Sequence, residues 1–104
     1  SSEGFYCTNV LVDKSLVFYK TYRDKYFAKY NKEPGAYDAY CYEGAKIILE
    51  ALKSSGNDAD KVKQYLYSHT FQSMTGDLKF DKNGEVERLW GMYQVINGKF
   101  VEVK

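Results

Sequence analysis

The sequence predicts an α/β fold with the element order β-α-α-α-β-β-β and antiparallel hairpins toward its C-terminal end. Three observations predict it. Apolar residues recur at spacings of three and four between Leu16 and Leu52, the mark of helices with a buried face. After His69 the apolar period falls to two, the spacing of a half-buried strand. Two pairs, Asn83-Gly84 and Asn97-Gly98, supply the residues that tight hairpin turns require. The 104 residues suffice for one small domain and hold no repeat, low-complexity tract or linker. Residues 1–104 therefore read as a single segment with no internal domain boundary.

The elements follow in order. Ser1–Asn9 is short, and its strand formers run from Phe5 to Thr8 after Gly4. Asp13-Lys14-Ser15 offers candidate N-caps for a first helix. Leu16, Tyr19, Tyr22, Tyr26 and Tyr30 form its stripe, and Glu33-Pro34-Gly35 breaks it. Tyr37, Cys41, Ala45, Ile48 and Leu52 mark a second helix, widened by Tyr40, Gly44, Ile47 and Ala51. So wide an apolar circumference is meant to be covered on more than one side. Ser54-Ser55-Gly56 stops it. Asn57 or Asp58 caps a third helix, whose apolar side is Val62, Tyr65 and Leu66. Met74, Gly76, Leu78 and Phe80 alternate with polar residues as a strand. Val86–Ile96 is a further extended run, and Phe100–Val103 returns after Asn97-Gly98. These strands are too little sheet to cover both long helices.

Composition excludes several functions. Fifteen Lys and Arg stand against fourteen Asp and Glu, with no basic block, so binding nucleic acid through phosphate neutralisation is not expected. Eleven Tyr serve either as bulk in a small core or as the lining of a cleft or interface. One His and two distant Cys lack zinc-ligand spacing. No Cys–His nucleophilic pair is supported by spacing, and His69 reads as a helix C-terminal partner or a solvated residue. No catalytic residue, metal or cofactor is expected. No apolar run reaches membrane-span length, and no signal-peptide pattern is visible.

Residues Met74–Val86, MTGDLKFDKNGEV, invite comparison with a calcium loop. Such a loop needs oxygen ligands at its first, third and fifth positions, Gly at the sixth and Glu at the twelfth. With Gly84 at the sixth, Lys79 falls first and Trp90 twelfth; starting from Asp77 puts Lys79 third and Arg88 twelfth. Neither register can bind calcium, and what survives is a strand, the Asn83-Gly84 turn and another strand.

The same string resembles the C-terminal signature of the branched-chain amino-acid binding proteins, type I periplasmic solute-binding proteins of ABC transporters. Further stretches are similar in the same order: Glu3-Gly4-Phe5-Tyr6; Phe18, Tyr22 and Tyr26–Tyr30; Pro34, Tyr37 and Cys41-Tyr42-Glu43-Gly44-Ala45; Glu50-Ala51-Leu52 with Ser55-Gly56; and Tyr93-Gln94-Val95 with Asn97-Gly98-Lys99-Phe100-Val101. Their ordered set covers essentially the whole chain. The resemblance implies the C-terminal part of a protein with two Rossmann-like lobes, crossed near Tyr6–Val10 and again in the last strands. The absent parallel sheet would account for the surplus apolar helix surface.

The resemblance further implies a ligand cleft bordered by Tyr6, Thr8, Asn9, Tyr37, Asp38 and Tyr40. The simpler reading makes Asp38 a first-turn helix acid and Tyr37 a core residue. Cys7 and Cys41 fall on the same two elements, so a disulfide and two reduced, buried thiols both stand open. Implied partners are a small polar solute, such as an amino acid or amide, and a membrane permease, in the periplasm or outside the cell. A rival expectation is a homodimeric association module, with exchange of a strand between copies and no solute. Either a second copy or an N-terminal lobe would cover the open helix faces.

Overall fold

A computed structural model describes residues 2–104; Ser1, the first residue of the expected strand segment, lies outside them. The order is β1 (Tyr6–Val10), α1 (Val17–Tyr30), α2 (Ala36–Ser55), α3 (Ala59–Ser68), β2 (Phe71–Ser73), β3 (Gly76–Leu78), β4 (Trp90–Ile96) and β5 (Lys99–Val103). There is one strand more than the sequence predicts. The expected continuous strand Met74–Phe80 instead turns at Met74-Thr75, between β2 and β3. Gly76 there has φ +107°, a conformation that alternation cannot reveal. The Ser73 hydroxyl accepts from Thr75 N at 3.2 Å and bonds Gly76 O, closing the turn.

The helices begin and end by local rules, with one exception. Asn31 closes α1 in the left-handed conformation, its N–H donating to Phe27 O. The expected cap at Asp13–Ser15 is not used: Leu16 is the N-cap and has no capping side chain. Asp13 instead accepts from Ser15 N at 2.9 Å and from the Ser15 hydroxyl, making a turn of its own. Gly35 precedes α2, and Asp38 reaches back to accept from Gly35 N at 2.9 Å. Asp58, rather than Asn57, caps α3 and accepts from the amides of Asp60 and Lys61. Asp58→Ala is expected to cost about 1 kcal/mol, as for other N-cap losses. Urea unfolding of wild type and variant checks it through the midpoint.

The strands form two sheets. β1, β4 and β5 make an antiparallel sheet in the order β1-β4-β5, with Cys7 opposite Tyr93 and Val95 opposite Phe100. Asn97 (φ 52°) and Gly98 (φ 73°) form the expected turn, and the Glu3 carboxylate accepts from both of their amides. The separate β2–β3 hairpin packs on the helices. Tyr19, Tyr22, Ala39 and Met74 form one buried cluster, and Ile47, Phe71 and Leu78 form another. Phe80 and Val86 make a single bridge around the Asn83-Gly84 turn. Asp81 accepts there from Asn83 N and Glu85 N, so its carboxylate is used inside the turn. Residues 87–89 are not strand, which corrects the expected run from Val86. They pass α2, where Arg88 pairs with Glu43.

Two bodies result: the β1-β4-β5 sheet, and a layer of three helices with β2–β3. The radius of gyration is 16.2 Å, whereas a compact chain of about 100 residues measures about 13 Å. Apolar side chains stay uncovered on both bodies, among them Ile48, Leu49 and Leu52 on α2 and Trp90 and Met92 on β4. This matches the expectation that α2 lacks a partner on one side. Among the described residues no helix is long and apolar enough to cross a membrane.

Candidate functional site

Where the two bodies face each other they leave an open cleft of about 740 Å³. Clefts that hold small molecules are commonly about 300–1,000 Å³. The period of β1 decides which of its side chains enter. Cys7 and Asn9 line the cleft, while Tyr6 and Thr8 belong to the opposite face. From the sheet come also Tyr93 and Glu102, and Lys104 follows directly after β5. The opposing wall is the turn Asp13–Ser15, Tyr19 of α1, and Pro34, Gly35 and Ala39 at the start of α2. A second hollow of about 510 Å³ lies between α3 and the Asn83-Gly84 turn. Its walls are mostly apolar, with Leu52, Val62, Leu66 and Phe80, and carry one acid, Asp58, and one base, Lys63.

Charge in the cleft is mixed: Asp13 and Glu102 face Lys14 and Lys104. Ser15, through its hydroxyl and then its backbone N–H, holds the Asp13 carboxyl below the usual carboxylate range. Asp13 is therefore charged at neutral pH. Burial raises the phenols of Tyr19 and Tyr93. It likewise raises Tyr40, and it pushes Tyr22, whose buried hydroxyl has no hydrogen-bond partner among the described residues, up to about 12. A consequence follows for alkaline pH. An unfolded phenol ionises near pH 10, so between about pH 10 and about 12 the unfolded chain releases protons that folded Tyr22 retains. The folded state loses stability as pH rises through that window. Phenolate absorbance and circular dichroism recorded together should show ionisation of these tyrosines coinciding with unfolding.

Of the six residues expected at the cleft, Asn9 lines it. Its Oδ1 accepts from Val10 N at 2.8 Å. Tyr37 is 84% exposed and does not line the cleft or join the core. Asp38 is the first-turn acid bonded to Gly35 N, with the Tyr26 hydroxyl 3.4 Å away. Tyr40 donates from its hydroxyl to Val10 O at 3.0 Å, and the Arg88 guanidinium stands 5.5 Å from its ring centre. Tyr40 thus holds the end of β1 instead of facing the cavity. Cys7 and Cys41 are free and exposed, so neither a disulfide nor a pair of buried thiols is present. Cys7 lies near Tyr93, and Cys41 lies near Tyr22 on the other side of α2. His69 stacks on Tyr65 at 3.8 Å between ring centres, with Nδ1 3.0 Å from Tyr65 O, at the C-terminal end of α3.

Sequence reasoning missed Asp13, Ser15 and Tyr93 as cleft residues. Asp13 and Ser15 carried only a capping signal. Tyr93 reaches the site through pairing with Cys7, a contact far apart in sequence that no local pattern announces.

The comparisons with known proteins agree with this architecture. The family model described as periplasmic binding protein matches residues 3–99. The Leu/Ile/Val-binding protein homolog 7 of Brucella abortus (strain 2308) is 41% identical over 88 residues, covering 77% of this chain and 22% of that protein. A leucine-binding protein from Thermotoga maritima superposes with a TM-score of 0.84 at 25% identity, over 99% of this chain and 31% of its own. A Rhodopseudomonas palustris (R. palustris) solute-binding protein in complex with benzoate gives 0.82 at 15% identity, over 98% and 29%. A Desulfitobacterium hafniense substrate-binding protein in complex with Leu gives 0.80 at 18% identity, over 98% and 32%. The chain spans less than a third of the length of each of these relatives. With residues 3–99 matched and the fold shared, the chain belongs to the periplasmic binding protein family and has the fold of its type I members.

Proposed function

We propose that this chain is the C-terminal ligand-recognition segment of a solute-binding protein for amino acids or related small polar solutes. It works without covalent chemistry, in the periplasm or at the outer side of the cell, and hands its solute to an ABC-transporter permease. The observation that carries the reading is the cleft between the two bodies. Its volume suits a small solute, and groups of both charges converge on it at one end of α2. A zwitterion presents an ammonium and a carboxylate a few ångströms apart. Asp13 or Glu102 is suited to the first, and Lys14, Lys104 or the amides opening α2 to the second. The relatives of known ligand are consistent with this, since one is in complex with Leu and another with benzoate. Both ligands carry a carboxylate.

Asn9→Ala is expected to weaken solute binding by about tenfold, equal to about 1.4 kcal/mol. Titration calorimetry of the longer protein carrying these residues, against amino acids and aromatic carboxylates, measures it. An unchanged affinity would remove Asn9 from the site. A second reading is favoured by the uncovered apolar residues of α2 and β4, which a second copy of the chain could bury. Sedimentation at micromolar concentration separates the two: a stable dimer supports association, and a monomer excludes it.

A further inference from the structure

The chain passes from sheet to helices through residues 11–16 and returns through residues 87–89. The bonds that tie the two bodies together cluster where these passages run side by side. Leu11 N donates to Leu89 O at 2.7 Å, joining one passage to the other. The Tyr40 hydroxyl holds Val10 O, and Asp13 N donates to Met74 O at 2.7 Å. Met74 N donates to Glu43 Oε2 at 2.7 Å, and the other Glu43 oxygen pairs with Arg88. Arg88 also lies over the Tyr40 ring and 3.4 Å from the Thr75 hydroxyl. Each passage is thereby fastened to α2, one through Tyr40 and the other through Glu43. Gly91 lets Leu11 pack against β4, since a Cβ there would stand 3.0 Å from Leu11 Cδ1.

We propose that Glu43, Arg88 and Tyr40 form a pin that sets the angle between the two bodies, and so act as positioning residues for solute binding at the cleft. This rests on the solute-binding reading. None of the three lines the cleft. Their effect runs through the passages, which end in cleft residues on both sides: Asn9 and Tyr93 in the sheet, Asp13 and Ser15 on the helical side. A pair buried in this way is weak evidence of added stability, because apolar groups of like volume commonly serve as well. What apolar groups cannot supply is a set of directional bonds fixing two chain passages to one helix. When the pin is loosened, the angle spreads over more states. Apparent affinity then falls in proportion to the binding-competent fraction.

The test uses Tyr40→Phe, which removes only the bond to Val10 O, and Arg88→Lys, which keeps the charge but loses the planar fork. Asp58→Ala serves as a control, destabilised at a distance from the pin. All are made in the longer protein that carries these residues. Amide hydrogen exchange is read at Leu11, Asp13 and Met74, and calorimetry reads the affinity for the solute that the wild type binds. Expected are about tenfold faster exchange at these amides and about tenfold weaker binding in both pin variants, with neither change in Asp58→Ala. Pin variants that exchange and bind like the control would overturn the proposal. Should the wild type bind no tested solute, the functional reading fails, while the exchange measurement still decides the pin.

Discussion

Glu43→Ala is expected to destabilise the fold by about 3–5 kcal/mol, the range found when one partner of a buried ion pair is removed. Glu43 is 2% exposed and accepts from two directions, Met74 N and Arg88. Alanine leaves Met74 N without its acceptor in a site closed to water. It also leaves the Arg88 guanidinium without its carboxylate, and part of that charge can turn to solvent, since the side chain is 20% exposed. The loss therefore belongs near the lower end of the range. Glu43→Gln isolates the charge: it keeps an acceptor for Met74 N and loses the ion pair, so about 1.5–3 kcal/mol is expected. Whole domains hold about 5–15 kcal/mol, so the alanine variant should be visibly closer to unfolding. Urea denaturation measures both, with the midpoint falling and the slope unchanged.

Met74→Ala is expected to cost about 2–5 kcal/mol, as for other truncations of fully buried side chains. Met74 is 0% exposed and sits against Tyr19, Tyr22 and Ala39, where α1 and α2 meet the β2–β3 turn. The tyrosine rings around it are large, and Tyr22 packs on Tyr42 at 4.7 Å between centres. Rings held this way cannot collapse into the space of a lost thioether, so the cavity persists and the upper half of the range applies. Met74→Leu conserves most of the volume and should cost less than about 1.5 kcal/mol. Equal losses for the alanine and leucine variants would show that the cluster is looser than its burial implies.

What was legible in the sequence was local. The 3.6-residue period located all three helices, Gly56 ended α2, and Asn97-Gly98 adopted the positive φ values that its turn demands. Met74-Thr75 misled because Gly76 and Leu78 continue an alternating pattern through a turn. The same limit governs the cleft. Asn9 lines the cavity, whereas Tyr37 faces solvent and Tyr40 bonds Val10 O, because helix rotation is set by packing partners elsewhere. Glu43 drew no attention as a buried charge, since its partner Arg88 lies 45 residues away. Contacts at such range leave no periodic trace in either segment.

Under the proposed function, the elongated shape, the open cleft and the bare apolar faces go together: these residues would recognise a solute only with a further lobe. Titration calorimetry with the 104-residue chain and with the longer protein containing it, against the same amino acids and aromatic carboxylates, addresses this most directly. Saturable binding of at least one solute by the longer protein, and none by the chain alone, is expected. Saturable binding by the chain alone, at equal affinity, would contradict it, as would a folded longer protein that binds none of them.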